Sequence, residues 1–199
     1  MLENMPPALG HALSDVRAGL DKTLFLSIAA GPGRAALVLA SLAFADHMPI
    51  PERYTADGAG LSPPLSWTGV PAQAASVVLV VEDADSPTPL PLVHAIAVDL
   101  PGEDGALAEA ALGGADASAP SVALGRNSLL LTSWLPPDPP PGHGVHRYAF
   151  QVFALAAGEA LGGGIGREAL ALALAERTLA SGLLCSSVSC STSRNFYRP

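Results

Sequence analysis

The sequence predicts a mainly β protein: an antiparallel β-sandwich with long turn-rich loops and one helix near the C-terminus. Three observations lead to this fold class. The chain has 20 glycines and 19 prolines in 199 residues, which favours frequent turns over long helices. Short apolar runs rich in β-branched residues stand between these turns. Long turn-rich connections join these runs in place of regularly alternating helices, which is typical of antiparallel sheets and not of βαβ units.

Four apolar runs are the predicted strands of this sandwich. They are Ala36–Phe44, Ser76–Glu82, Val93–Leu100 and Tyr148–Ala156. Ser76–Glu82 reads Ser-Val-Val-Leu-Val-Val-Glu between turn residues, so it is predicted to be a buried strand. Residues 46–75 and 101–123 are rich in turn-forming or small residues and are predicted to be mostly loop, although Trp67 ends a rigid extended segment.

One convincing helix is predicted near the C-terminus. Arg167–Ala180 consists of strong helix formers and carries Glu168 near its start. Gly182 follows as a C-terminal stop signal.

A second, shorter helix is predicted near the N-terminus. Apolar residues recur at helical spacing over Ala8–Leu20, and Gly-Pro-Gly at residues 31–33 then breaks the chain. We therefore expect an N-terminal appendage, residues 1–33, that is partly helical, and a single domain over residues 34–199. The length of the chain suits one such domain.

Charge and cysteine content narrow the function classes. Ten Lys and Arg residues against 18 Asp and Glu residues give a net charge of −8, which argues against unaided binding to nucleic acid or to an anionic membrane surface. An anion would have to be held by a local site. Cys185 and Cys190, the only two cysteines, are too few for a disulfide framework or a zinc site, so we expect free thiols.

We expect a cytoplasmic protein without an integral membrane segment, because no apolar run reaches the length of a bilayer span. The apolar stretch Ala35–Ala45 ends in Ala-Phe-Ala, which is similar to a signal cleavage site. The sequence before it is long for a signal peptide and contains Glu3, Asp15 and Asp21. A periplasmic or secreted protein is therefore the minority alternative.

Two short segments carry the residues that could form a site. In the first, Asp83 stands where a predicted strand ends, and His94 lies in the next strand after a Pro-containing loop. In the second, His146 joins a loop rich in Pro and Gly to the last predicted strand. Two imidazoles, a carboxylate and loop N–H groups make a cradle for phosphate or carboxylate. Each residue alone also fits a structural role, as a turn-initiating Asp or a core His.

Asp85 and Arg147 are predicted to form a structural ion pair. On an extended chain Asp85 faces the same side as Asp83, so the two carboxylates need a cation or a shared proton. Arg147 is the best available cation, and it alternates with His146 and Tyr148 and so points away from both. We expect a buried pair that joins the two segments.

Three ordered segments resemble the signature segments of the phosphatidylethanolamine-binding proteins, also called Raf kinase inhibitor proteins, and of the bacterial branch of that family. Residues 57–67 read Asp-Gly-Ala-Gly-Leu-Ser-Pro-Pro-Leu-Ser-Trp, residues 83–87 read Asp-Ala-Asp-Ser-Pro, and residues 136–148 end in His-Arg-Tyr. The resemblance covers the chain from Ala36 onward and implies a β-sandwich with a small surface pocket for phosphate-like or carboxylate groups. By this resemblance the pocket-lining residues are Asp83, Pro87, His94, Pro139, Pro140, His146 and Tyr148.

The sequence departs from the family pattern at several positions. Ala84 and Ser86 replace a Pro and an Ala of the first segment, and Leu-Val at residues 92–93 stands where relatives carry a bulky aromatic. Asp138 occupies a pocket-lip position that is often Gly or Cys, where its charge would oppose a bound phosphate. The C-terminal tail also differs, so the C-terminal pocket residue of the family has no assigned position here.

The resemblance implies a non-enzymatic binding protein, because the family binds phospholipid head groups and nucleotides and restrains protein kinases in some lineages. We expect no catalytic residue, cofactor or metal, and a small anionic ligand such as phosphate, phosphoethanolamine or a carboxylate. A protein partner, such as a kinase or protease that the chain inhibits, and a homodimer are left open. The alternatives are a hydrolase or lyase with His94 and His146 as acid and base and Asp83 as the orienting group, and a metal-binding module.

Overall fold

A computed structural model of the protein describes residues 6–28, 35–113 and 120–189. Within these ranges there are three α-helices: α1 (Pro7–Ala12), α2 (Leu24–Ile28) and α3 (Arg167–Arg177). The same ranges contain eight strands: β1 (Ala35–Ala36), β2 (Val38–Ala40), β3 (Leu65–Thr68), β4 (Ser76–Asp83), β5 (Leu92–Pro101), β6 (Gly105–Leu107), β7 (Val145–Leu155) and β8 (Thr178–Ser189). The predicted boundary between residues 33 and 34 lies outside the described residues.

The strands form two sheets. The larger sheet has the order β1-β8-β7-β4-β5, and the smaller has the order β2-β3-β6. Neighbouring strands are antiparallel, except that the short β1 runs parallel to β8. The mainly antiparallel sandwich that the sequence predicts is therefore confirmed.

The larger sheet buries both of its faces. One face packs against the smaller sheet through side chains such as Phe150 and Trp67. The opposite face packs under α2 and α3 through side chains such as Phe153 and Leu174. Because both faces are covered, the central strand β4 is a continuous apolar run without period-two alternation.

The N-terminal helix is shorter than predicted. α1 ends at Ala12, and the predicted continuation to Leu20 is wrong. After Ala12 the backbone leaves the helical region and reaches Gly19 with a φ of 105°. The physical reason is that the N–H groups of Ala18 and Gly19 bond to a loop of the domain and not to the preceding turn of a helix.

The C-terminal helix also ends early. α3 stops at Arg177, and Thr178–Ala180 begins β8, which pairs with β7 along almost its whole length. Gly182 lies inside β8 and is not a helix stop. A Cβ on Gly182 would lie 2.4 Å from the carbonyl oxygen of Leu37, so this glycine allows the close approach of the segment between β1 and β2. Pairing with β7 thus overrides the local helix preference.

Two smaller differences concern the flanking strands. The predicted strand Ala36–Phe44 is divided into β1 and β2, which join different sheets. The predicted loop 101–123 contains the short strand β6. Cys185 on β8 is a half-buried free thiol, and Cys190 lies outside the described residues.

Candidate functional site

The end of β4 and the beginnings of β5 and β7 meet at one end of the larger sheet. In the register of these strands, Asp83 lies opposite Tyr148 on β7 and opposite Leu92 on β5. Side chains alternate along a strand, so Asp83, His146 and Tyr148 share the face that is turned toward the smaller sheet. The two polar segments found in the sequence are thereby brought together.

His94 reaches the same place through an irregularity in β5. The pairing of β4 with β5 skips one residue between Val93 and Ala95, and that residue is His94. Bulges of this kind re-aim a side chain and are frequent beside functional sites. The ring of His94 packs edge-on against the ring of Tyr148, with a centroid distance of 5.1 Å.

Asp83, His146 and His143 form a buried chain of hydrogen bonds. Oδ2 of Asp83 lies 2.7 Å from Nδ1 of His146, and Nε2 of His146 lies 2.7 Å from Nδ1 of His143. Nε2 of His143 lies 3.2 Å from the carbonyl oxygen of Val16. The other carboxylate oxygen of Asp83 accepts the backbone N–H of Asp85 at 2.8 Å. Both ring nitrogens of His146 are therefore occupied by groups of the protein itself.

The two ends of this chain determine how many protons it holds. The carboxylate of Asp83 and the carbonyl of Val16 both accept, so three hydrogen bonds need three protons between these groups and the two imidazoles. Two neutral imidazoles carry two protons, so one of the three contacts lacks a proton unless the pair binds a third, whose charge would balance that of Asp83. A further proton would set two N–H groups face to face. The pKa of His143 accordingly lies below its ordinary value, because burial and the neighbouring His146 and Arg17 oppose its charge.

Three buried polar atoms beside this chain have no hydrogen-bond partner among the described residues: Nε2 of His94, Nε1 of Trp134 and Oη of Tyr148. His94 contacts both other rings, at centroid distances of 5.1 Å to Tyr148 and 6.1 Å to Trp134. A buried polar group without a partner costs about 1–3 kcal/mol. Three such atoms around one ring mark a place that suits a polar group from outside the protein.

The roles of these three atoms follow from their chemistry. Nδ1 of His94 lies 2.6 Å from the carbonyl oxygen of Leu135, which can only accept, so Nδ1 carries the ring proton. Nε2 of the neutral His94 ring is then an acceptor. Trp134 Nε1 is a donor, and the Tyr148 hydroxyl can donate. The site thus presents two donors and one acceptor, and protonation of His94 would turn the acceptor into a third donor.

Burial keeps both His94 and Tyr148 neutral near pH 7. Burial lowers the pKa of His94, and the charge of Asp83 acts against that shift. Burial also raises the pKa of Tyr148 well above its ordinary value, and the negative charges of Asp83, whose carboxylate also interacts with the hydroxyl, and of Asp138 raise it further. Asp138 therefore lies near enough for its charge to act on both rings.

Arg147 forms a bidentate ion pair with Asp85. Nε and Nη2 of Arg147 each lie 2.7 Å from a carboxylate oxygen, and the backbone N–H of Arg147 donates at 2.8 Å. Asp85 is buried, but the Arg147 side chain is 48% exposed, so only one end of the pair is buried. Arg17 is a second cation, 3.2 Å from Asp85. Burial raises the pKa of Asp85, but the hydrogen bonds from Arg147 outweigh it and the pKa is about 2.

The remaining predicted residues frame the site. Pro139 and Pro140 are buried in the loop before β7, and Pro87 is half-buried in the loop after β4. His143 and Trp134 are not among the site residues that the sequence predicts. His143 stands three residues before His146 within the second segment, which was a usable signal, whereas nothing in the local sequence separates Trp134 from an ordinary core aromatic.

Residues 13–19, here called the strap, lie across the loop after β4 and the loop before β7, which are here called the two signature loops. The backbone N–H of Ala18 donates to the carbonyl of Ser86 at 3.0 Å, and that of Gly19 donates to the carbonyl of Ala84 at 2.7 Å. These two bonds add the strap to the loop after β4 in the manner of a short extra strand. The strap is therefore fixed along the loop that carries Asp85.

Arg17 attaches the strap to the loop before β7. Its Nη2 donates to the carbonyl of His143 at 3.0 Å, and its Nη1 donates to the carbonyl of Val145 at 2.9 Å. α1, which precedes the strap, packs on the same loop, because a Cβ on Gly10 would lie only 1.9 Å from the carbonyl oxygen of Pro141. The glycine is what permits this contact.

Glu82 holds the following segment on the outer face of the sheet. Its Oε2 accepts the backbone N–H of Leu24 at 2.8 Å and the side-chain amide of Gln151 at 2.9 Å. Its Oε1 accepts Nε of Arg167 at 2.6 Å, and Arg167 also donates to the carbonyl of Lys22 at 2.7 Å. The described part of the predicted appendage is thus joined to the domain at both signature loops and at α3.

Other features lie away from the histidines. An apolar cleft of about 590 Å³ opens beside the beginning of β5 and is lined by residues 88–93, 126–130 and 166–167. In residues 6–28, 35–113 and 120–189, no three His, Cys, Asp or Glu side chains are grouped so that they could hold a metal ion. None of the helices in those ranges has the length and apolar character needed to cross a membrane.

Comparisons with known proteins agree with this geometry. The family profile described as Phosphatidylethanolamine-binding protein matches residues 40–187. A UPF0098 protein of Mycobacterium bovis is 38% identical over 133 residues, which cover 67% of this chain and 61% of that protein. The chain therefore spans less than two thirds of the length of that relative. A relative from Mycobacterium tuberculosis, 36% identical over 62% of the chain, carries the name of a lipoprotein.

Two solved structures have the same fold. CT736 of Chlamydia trachomatis, described as a phosphatidylethanolamine-binding protein homologue, is 32% identical with a TM-score of 0.69, over 78% of this chain and 99% of that one. YbcL of E. coli, described as a member of the mammalian family, is 22% identical with a TM-score of 0.71, over 79% of this chain and 100% of that one. The similarity to YbcL concerns the fold alone.

Proposed function

Because this chain belongs to the phosphatidylethanolamine-binding protein family, we propose that it is a non-enzymatic binding protein whose buried histidine site holds a phosphate-like group. The single observation that carries the proposal is the set of three unpaired polar atoms on His94, Trp134 and Tyr148. A ligand that pairs with these atoms removes an unfavourable contribution of about 1–3 kcal/mol for each of them. Binding energy is therefore available at this place without any rearrangement of the sheet.

The donor and acceptor pattern favours a phosphate monoester over other small anions. Trp134 and Tyr148 can donate to phosphate oxygens, while Nε2 of neutral His94 needs a donor from the ligand. A phosphate monoester has a second pKa of about 6, so it keeps one P–OH group in mildly acidic solution. A carboxylate or a phosphodiester lacks that hydroxyl and would face the lone pair of His94 with an oxygen. Phosphoethanolamine or inorganic phosphate is the expected class.

The charge balance around the histidines also suits a monoanion. Asp83 accepts hydrogen bonds from Nδ1 of His146 and from the backbone N–H of Asp85, and these two donors reduce its repulsion of a bound anion. Protonation of His94 at lower pH adds a positive charge and a third donor. Anion affinity is therefore expected to increase as the pH falls through the histidine range.

Calorimetric titration tests the proposal with three probes at pH 6. Phosphoethanolamine is expected to bind at least about 10-fold more tightly than glycerophosphoethanolamine or acetate, which corresponds to roughly one hydrogen bond. His94→Gln should abolish the preference, whereas His47→Gln, at a side chain that is 80% exposed, should leave it unchanged. Absence of binding for all three probes, or equal affinity for them, would contradict the proposal.

The proposed role excludes turnover, and this is tested separately. The Asp83–His146 contact resembles the orienting pair of an acid–base catalyst, but Nε2 of His146 faces His143 and not a substrate site. We expect no hydrolysis of phosphomonoesters or carboxylic esters above the buffer rate. Restraint of a kinase or protease, a homodimer and the cytoplasmic location remain predictions that the sequence alone supports.

A further inference from the structure

The proposed anion site is closed in the structure by a residue of the same chain. Nε2 is the nitrogen of His146 that does not bond to Asp83, so a ligand that contacts His146 in addition to His94, Trp134 and Tyr148 would have to use it. His143 Nδ1 occupies it at 2.7 Å. The side chain of His146 is only 1% exposed, and His143 is buried as well. A ligand can therefore contact His146 only after His143 has moved.

The strap decides whether His143 can move. The carbonyl of Val16 lies 3.2 Å from Nε2 of His143, and Arg17 donates to the backbone carbonyl of His143 at 3.0 Å. The ring and the backbone of His143 are thus held by neighbouring strap residues. Arg17 is in turn fixed by Asp85 at 3.2 Å, within the loop to which the strap is hydrogen-bonded.

We infer that residues 13–19 are a latch that keeps His143 on His146, so that the anion site is closed in the free protein and opens when the latch is displaced. The inference rests on the proposed function for the identity of the ligand, but the closure itself has a readout that needs no ligand. The latch lies before the part of the chain that matches the family profile, residues 40–187.

Acid and an anion are expected to act on the latch in the same direction. The groups that face His143 are His146 from β7, Arg17 and the carbonyls of Leu13 and Val16 from the strap, with Asp83 behind His146. When Nδ1 of His143 and Nε2 of His146 both carry protons, two N–H groups face each other and the hydrogen bond between the rings is lost. The freed N–H groups are donors that an anion stabilises.

Chemical modification measures the closure directly. Diethyl pyrocarbonate acylates unprotonated imidazole nitrogens that it can reach, and peptide mass spectrometry at pH 7 gives the rate at each histidine. His11 and His47 are exposed and serve as internal references in the same molecule. In the parent protein we expect His146 to react at least about 10-fold more slowly than His47, since both of its nitrogens are bonded and buried.

Two variants open the latch by independent routes. Arg17→Ala removes the contacts to His143 and Val145 and leaves Asp85 paired with Arg147. Gly10→Val forces α1 off the loop, because its Cβ would meet the carbonyl oxygen of Pro141 at 1.9 Å. Either variant should raise the modification rate of His146 toward that of His47. Arg126→Ala, at an exposed arginine beside the apolar cleft, is the matched control and should leave the rate unchanged.

Phosphate binding separates the two proposals. If the latch closes a phosphate site, inorganic phosphate binds Arg17→Ala or Gly10→Val at least about 10-fold more tightly than the parent, and Arg126→Ala behaves as the parent. If the variants expose His146 but bind no phosphate, the latch stands and the proposed function fails. The latch is contradicted if His146 reacts as fast as His47 in the parent protein. It is also contradicted if His146 stays protected in both variants while they remain folded, and neither conclusion depends on whether phosphate binds.

Discussion

Nδ1 of His143 lies 2.7 Å from Nε2 of His146, so two histidines three residues apart share one hydrogen bond in the buried site. The loop geometry makes this contact. Gly142 and Gly144 have φ values of 82° and 95°, in the left-handed region that glycine adopts without strain. They turn the chain on both sides of His143 and set its ring on the next imidazole. His143 thereby connects His146 to the strap.

Replacing His143 with Gln is expected to flatten the acid dependence of stability. The folded-state pKa of His143 is lowered, so its contribution to stability is present above the ordinary value of about 6.5 and is lost as the pH falls through the folded-state pKa. Gln can hydrogen-bond but does not titrate. Thermal midpoints at pH 7 and pH 5 should therefore fall less for His143→Gln than for the parent. His47→Gln should follow the parent, and parallel losses in all three proteins would rule out the pair as the cause.

Tyr148→Phe separates a binding role from a packing role. The Tyr148 hydroxyl makes no hydrogen bond of normal geometry among the described residues, although the Asp83 carboxylate interacts with it, so its removal should change the stability of the free protein by about 1 kcal/mol or less. The same change should weaken phosphoethanolamine binding, by about 10-fold for one lost hydrogen bond. Chemical denaturation and calorimetry measure the two effects.

Tyr54→Phe is the matched control for that substitution. The hydroxyl of Tyr54 donates to Glu109 at 2.9 Å, so its loss should cost stability by about 0.5–1.5 kcal/mol and leave binding unchanged. A Tyr148→Phe variant that loses stability and binds as the parent would show that the hydroxyl serves packing alone.

Two arginines share Asp85, which changes what removing either one should do. Arg147→Ala alone leaves Arg17 beside the buried carboxylate, and Arg17→Ala leaves Arg147. We expect about 1–2 kcal/mol for each single variant, less than the loss of 3–5 kcal/mol typical for breaking a buried pair. The double variant leaves Asp85 unpaired and should exceed the sum of the singles by about 1 kcal/mol or more.

Urea denaturation of the parent, the two single variants and the double variant gives the coupling free energy between Arg17 and Arg147. The loss of stability at low pH gives an independent check. The pKa of Asp85 is about 2, below its ordinary value of about 4. The contribution of Asp85 to folding stability is therefore complete above about pH 4 and is lost as the pH falls through the folded-state pKa of about 2. Arg53→Ala breaks an exposed pair with Glu109 and should change stability less than either Arg17→Ala or Arg147→Ala. Strict additivity in the cycle would mean that the two arginines act independently.

Local sequence signals predicted the site residues that lie on strands of the larger sheet. Asp83 and Tyr148 occur where β-branched runs meet turn residues, and the antiparallel pairing of β4 with β7 places them opposite each other. The expected neighbourhood of His94 needed one further feature, the bulge in β5, which sequence patterns do not specify. The resemblance to the family supplied the grouping that periodicity could not.

The contacts between the strap and the site were not predictable from local sequence patterns. Arg17 bonds to residues 126 and 128 positions away in the sequence, and no pattern in a single chain indicates such a contact. Thr178–Ala180 shows the same limit in the fold, because its residues suit a helix locally and join β8 only through pairing with β7. Long-range pairing decided both outcomes.

Asp138 is expected to weaken anion binding through its charge. Its carboxylate acts on His94 and Tyr148, where it favours a protonated imidazole and a neutral phenol, and it would repel a phosphate that contacts these groups. Asp138→Asn keeps the shape and removes the charge, so phosphoethanolamine should bind about 3- to 10-fold more tightly at pH 6, for a gain of about 1 kcal/mol. Calorimetry at low and high salt measures the gain, which should shrink as salt screens the interaction.

Asp104→Asn is the matched control for this effect. Asp104 is an exposed carboxylate that accepts the backbone N–H of Val70 at 2.8 Å, and Asn can keep that bond through its amide oxygen. Its replacement makes the same change in net charge as Asp138→Asn, away from the histidines. If both variants tighten binding equally, the effect is one of net charge; if Asp138→Asn binds as the parent, Asp138 does not face the ligand. A gain confined to Asp138→Asn places its carboxylate at the mouth of the anion site.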